Sequence, residues 1–185
     1  KLPAENLVVS KEDLEGDPTD VIPTTDPDNH LKLNVGSHKI MFHHGWVNID
    51  VEPLLDFARQ NGYAFTQYDV MKHGLAINDN SVSLIYASHF LEHQTYEQGL
   101  VFMKECARVL RKESGLLRIA VPDADTLSSA YSDDVDLSEI MGPAPAGFPK
   151  EITKLKTYRF WSLLTDNHKS AYDEATLKTL GGLAG

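Results

Sequence analysis

Gly36 and Asp50 each close a short apolar run in the stretch LNVGSHKIMFHHGWVNID. A glycine at the end of a strand lets the backbone approach a ligand closely. A carboxylate at the end of the next strand can accept hydrogen bonds from both hydroxyls of a ribose. Taken singly, Gly36 reads equally well as a turn, and Asp50 as a cap for the helix that follows Pro53. Three further strand ends carry polar groups: Asp69 after AFTQY, Ser88 and His89 after SVSLIYA, and Asp123 after LLRIAVP. Convergence of such groups on the carboxyl edge of a parallel sheet is what a ligand site there requires.

The histidines raise a second chemistry. HFLEH, from His89 to His93, matches the H-x-x-E-H pattern of a zinc peptidase family. It starts at the end of an apolar run, and the chain is short for that family's large domains. The expectation is therefore a helix start with no metal bound. His43 and His44 are neighbours whose side chains point apart in extended backbone, which suits a surface loop.

These residues need a sheet to hold them. LKLNVGS, GWVNIDVE, AFTQYDV, SVSLIYAS and LLRIAVPD are five short apolar runs, with helical segments at PLLDFARQNG and between the last two runs. Such alternation predicts an open α/β sheet with mainly parallel strands and flanking helices. Only about ten residues join the first two strands, near the ~10–12 minimum for a crossover, so the helix there should be one turn or absent. The long helix opens with Thr95 and Gln98 at capping-box spacing. Leu100, Met103, Cys106, Ala107 and Leu110 then recur at helical period and should face the sheet. Lys104, Arg108 and Arg111 fall on the wetter side, and RVLRK reads as a solvated helix end.

The chain has 185 residues, 42% of them apolar, enough for one domain with a sizeable core. Residues 1–30 are acidic and proline-containing and read as an N-terminal arm, with a short strand at 7–9; residues 31–185 form the domain. Residues 132–150 read as a loop or lid. KLKTYRFWSLL and DEATLKTL should be helical, and His168 and Tyr172 could reach over the site. No run approaches the ~18 apolar residues that span a bilayer, and one cysteine excludes an internal disulfide. That usage fits the cytoplasm. Seventeen basic against 27 acidic side chains, a net charge of −10, argue against a nucleic-acid partner.

The order strand-Gly36, GWVNID, YDV, DNSVSLIYASHFLEH, RVLRK and GLLRIAVPD resembles a class I S-adenosylmethionine-dependent methyltransferase over roughly residues 31–131. More narrowly, it resembles a small group with a Gly-Trp-x-Asn-x-Asp signature, often associated with surface-glycan synthesis. The resemblance implies a Rossmann-like methyltransferase fold whose C-terminal antiparallel hairpin is missing, since the chain stops at LGGLAG. It implies that Gly36, Ser37 and His38 approach the methionine part of S-adenosylmethionine, Asp50 holds the ribose, and Asp69 and Val70 flank the adenine. Ser88 and His89 then lie beside the reacting centre. The expected reaction is methyl transfer to an oxygen or nitrogen of a small-molecule or glycan-type acceptor, with His89 as first and Asp123 as second candidate base. The alternative is a non-catalytic fold that serves as a binding or scaffold protein. Asn34 and His38 stand where such enzymes usually have an acid and a second glycine. Replacing His38 by glycine is expected to open the pocket at a modest entropic cost in stability.

Overall fold

The computed structural model describes residues 31–132 and 168–185; the arm, the lid beyond Ser132 and KLKTYRFWSLL lie outside them. Five parallel strands form one sheet: β1 (Leu31–Val35), β2 (Val47–Asp50), β3 (Phe65–Gln67), β4 (Val82–Ser88) and β5 (Leu116–Ala120), in the order β3-β2-β1-β4-β5. Central strands of a parallel sheet are covered on both faces. Leu33 and Val35 of β1 and Ile85 and Ala87 of β4 are fully buried or nearly so, and Asn34, between the first two, is buried on the opposite face. The edge strand β5 alternates between exposed and partly covered positions, and Leu116 reaches solvent. Among the described residues no strand is antiparallel. No described helix is long and apolar enough to cross a membrane.

The β1–β2 connection contains one 3-10 turn, Lys39–Met41, and no α-helix. Phe42 fills the space a crossover helix would cover. It stacks on Phe65 and meets Phe57 and Tyr63 edge-on, with ring centroids 5.3–5.7 Å apart. With Ala58 of α1 (Leu55–Asn61) these rings form a small second core. His43 and His44 are exposed, as a surface loop predicts, and His44 stacks on Tyr63 at 4.2 Å.

After β3 comes the single turn α2 (Val70–His73). The capping box at Thr95 and Gln98 opens α3 (Tyr96–Val109). The buried face of α3 is Gly99, Phe102, Met103, Cys106 and Val109, whereas Ala107 is exposed and Leu100 only partly covered. The expected stripe is thus corrected by rotation toward Phe102 and Val109, because α3 shares one core with the strand residues Leu33, Val82 and Ile85 and also packs on α5 (Glu174–Ala184). Burial pushes the Cys106 thiol well above its ordinary range.

Arg108 corrects the reading of RVLRK as merely solvated. Its guanidinium donates to the carbonyls of Leu75 and Ile77 at 2.6 and 2.8 Å, to Asp79 at 2.7 Å and to both oxygens of Glu105. It ties the α2–β4 loop to α3. Glu105 also accepts from the amide of Leu75.

Tyr172 is corrected too. It is buried behind α3, edge-on to Tyr96, and stands outside the site cavity. Its carbonyl accepts from Ala124 at the start of α4 (Ala124–Ser132), so it anchors the returning chain.

Hydrogen bonding from Arg108 holds the Glu105 carboxyl below the ordinary glutamate range. A depressed native pKa means the unfolded chain binds more protons in acid, so stability rises with pH there. The contribution is present above about pH 4.3 and lost as pH falls through the native value. Urea midpoints of the parent and Glu105→Gln from pH 6 to 3 should therefore converge toward acid. Parallel curves would show that this pair adds no pH dependence.

Candidate active site at the carboxyl edge of the sheet

A cavity of about 770 Å³ opens along the carboxyl ends of β1, β2 and β4. Gly36, His38, Asp50, Asp69, Val70, Ser88 and His89 all line it, so strand ends distant in sequence meet there. Ser37 and Asp123 do not. Ser37 is fully buried, and its Oγ has no hydrogen-bond partner among the described residues. Asp123 is exposed and caps α4, accepting from the Asp125 amide and the Thr126 hydroxyl.

Gly36 is needed twice over. Its φ of +67° is strained for a residue with a Cβ, and an added Cβ would lie 2.7 Å from Phe90 Cδ2. The amides of Gly36 and Ser37 both donate to the carbonyl of Ile49, which turns β1 sharply at the cavity floor. Asp50 does not cap α1, whose N-cap is Leu54. Its Oδ2 accepts from the His38 amide at 2.8 Å, and its Oδ1 from the Glu52 amide at 3.0 Å. Each carboxylate oxygen has capacity for a second donor.

His38 adopts φ +32°, which a β-carbon disfavours. Its ring, about half exposed, lies 3.8 Å from Glu52 at the cavity mouth. Asp69 stands between β3 and α2, and its Oδ1 accepts from the amides of Met71 and Lys72. Its placement as the start of α2 follows from this capping. Val51, Tyr68 and Val70 add apolar wall.

At the other end, Ser88 is buried and His89 is mostly exposed, with φ +52°. HFLEH does not form a continuous helix. Leu91–His93 is a 3-10 turn preceding α3, and His89 Nδ1 lies 3.0 Å from Glu92 Oε1. Glu92, almost fully buried, joins His89 at this end of the cavity, and the spacing of three between them in HFLEH is the sequence signal for the pair. Gln94, Gln98 and Lys169 also line the cavity, without a sequence cue.

Asn34 explains the missing acid. It is buried, and its Nδ2 donates to the Met41 carbonyl at 2.7 Å and to Asn48 Oδ1 at 2.9 Å. Asn48, also buried, accepts from the His43 amide and donates to the carbonyls of His43 and Ala64. A carboxylate at position 34 would face two oxygens. Asn34→Asp should thus destabilise the protein by about 2–4 kcal/mol at neutral pH. Denaturant unfolding checks this, and a change below about 0.5 kcal/mol, within the range of an ordinary surface substitution, would mean the amide pair holds nothing.

Comparison with known proteins agrees with this fold. A methyltransferase-domain family model matches residues 39–118. No curated protein matches the chain. Among solved structures, the chain is similar to a SAM-dependent methyltransferase of Archaeoglobus fulgidus, with a TM-score of 0.59 at 15% identity. That match covers 84% of this chain and 60% of the other. A protein of Nostoc punctiforme assigned as an O-methyltransferase matches with TM-score 0.54 and 13% identity, over 85% and 46% of the two chains. One of Bacillus halodurans assigned as a methyltransferase matches with TM-score 0.51 and 17% identity, over 85% and 62%. The chain thus spans less than two thirds of each.

Proposed function

We propose that this chain, which has the class I S-adenosylmethionine-dependent methyltransferase fold, transfers the methyl group of that cofactor to an oxygen or nitrogen of a small-molecule or glycan-type acceptor. The observation that carries the proposal is the Asp50 carboxylate. It borders the cavity one strand away from the Gly36 turn, fixed by two backbone amides, and each oxygen can still take a ribose hydroxyl. The cavity volume lies within the ~300–1,000 Å³ of small-molecule sites. Val51, Tyr68 and Val70 suit the faces of an adenine, and Asp69 Oδ2 its amino group. When bound, the cofactor supplies an electrophilic methyl on a sulfonium.

The chain's own residues have then to align the acceptor and remove its proton. Alignment supplies most of the rate. His89 lines the cavity, and Glu92 holds its Nδ1, so Nε2 is the nitrogen left to take a proton from a hydroxyl. Its left-handed backbone is the kind of strain that clusters at functional sites. Asp123, committed to capping α4, is the weaker base.

The alternative, a non-catalytic binding fold, draws support from Asn34. Its amide is committed to the loop, so no acid from that position meets the cofactor's ammonium group. Thermal melts with S-adenosylhomocysteine, backed by calorimetric titration, separate the readings. Ligand that binds only the native state raises the melting temperature by mass action. We expect a rise in the parent and loss of most of it in Asp50→Ala; no rise at millimolar ligand would favour the binding fold.

His38→Gly bears on the same cavity. The positive φ corrects the expected entropic cost, because glycine also relieves strain. The variant should melt no lower than the parent and bind S-adenosylhomocysteine more tightly. Weaker binding would mean that the imidazole contacts the ligand.

A further inference from the structure

We propose that Glu92, His93 and His168 form a site for a divalent transition ion of the zinc class beside the acceptor end of the cavity. One carboxylate oxygen and one ring nitrogen from each histidine lie within 4.8 Å of one another. Tetrahedral ligation at about 2.0–2.2 Å needs ligand atoms roughly 3.4 Å apart, a closure that small side-chain rotations supply. Two nitrogens and one oxygen suit zinc, cobalt or nickel better than calcium or magnesium.

The independent observation is Glu92 itself. Its side chain is 2% exposed, and its Oε2 is buried with no hydrogen-bond partner among the described residues. A carboxylate oxygen withdrawn from water and left unpaired is costly. The other oxygen is taken by His89 Nδ1, which fixes the plane of the carboxylate. A cation between Oε2 and the two imidazoles resolves that cost. Edge-to-face packing of the His93 and His168 rings, with centroids 4.8 Å apart, accounts for the ring contact but leaves Oε2 unpaired.

The two segments are already fastened together. The amides of Lys169 and Ser170 donate to the Glu92 carbonyl at 2.8 and 3.2 Å, and Ser170 Oγ donates to the Gln94 carbonyl at 2.8 Å. The ligand set is therefore not the peptidase H-x-x-E-H set. His168 takes the place that His89 holds in that pattern. His93 lines the same cavity as Ser88 and His89, so a fourth coordination position is available to an acceptor oxygen.

The test uses the tag-free full chain, stripped with chelator and titrated with Co²⁺ by visible absorption and with Zn²⁺ by calorimetry. No methyl-transfer assay is involved, so failure here and failure of the cofactor reading are distinct. We expect one equivalent per chain at micromolar metal, with affinity lowered tenfold or more in Glu92→Gln and in His168→Ala, and unchanged in the surface variant His44→Ala. Circular dichroism melts verify folding. If Glu92→Gln does not fold, His168→Ala, half-buried on a segment anchored by its neighbours' backbone bonds, decides alone. No binding in the parent, or equal binding in His168→Ala, would overturn the site.

Discussion

The buried amide pair Asn34–Asn48 fixes the edge on which the cavity is built. With no α-helix between β1 and β2, eleven residues (36–46) must cross the end of the sheet with little repeating hydrogen bonding of their own. Backbone groups in such a loop need partners when covered. The two side-chain amides supply them, binding the carbonyls of Met41 and His43 and the amide of His43, and Asn48 also donates to the Ala64 carbonyl just before β3. An amide both donates and accepts, so one residue type can satisfy both sides of this network. A carboxylate in either place could only accept.

The site follows from that constraint. Once the loop is held, the Gly36 turn and the Asp50 carboxylate are brought together, and Asp50 fastens the His38 amide in return. The same carboxylate is thus part of the loop's structure and part of the cavity lining. His38 bears the strain of this compact turn, with φ +32° where glycine would be at ease.

The opposite end of the cavity is organised differently. The turn at His89–Gln94 carries a buried carboxylate, and the chain returning at 168–172 is stitched onto it through the Glu92 and Gln94 carbonyls. Tyr172 anchors that return in the core behind α3, and Gly99 leaves its hydroxyl room, since an added Cβ would lie 3.0 Å from it. One end of the cavity is therefore built from neighbouring strands and the other from segments far apart in the chain.

That contrast marks what the sequence by itself determined. The five apolar-rich runs became the five strands, because a parallel sheet buries its central strands on both faces and so draws on apolar, β-branched segments. The brevity of the first crossover and the Thr95–Gln98 cap are local, and were readable locally. Gly36, Asp50, Asp69, Ser88 and His89 were legible as strand-end residues for the same reason. Other features were decided by tertiary structure alone. The buried face of α3 turned because α5 packs against it, Tyr172 went into the core, and Arg108 found carbonyls about thirty residues away. Glu92 and His93 acquired His168 as a neighbour only because the returning chain hydrogen-bonds to the Glu92 carbonyl. Periodicity reports which side of an element is apolar; it holds no information on which distant segment will cover it.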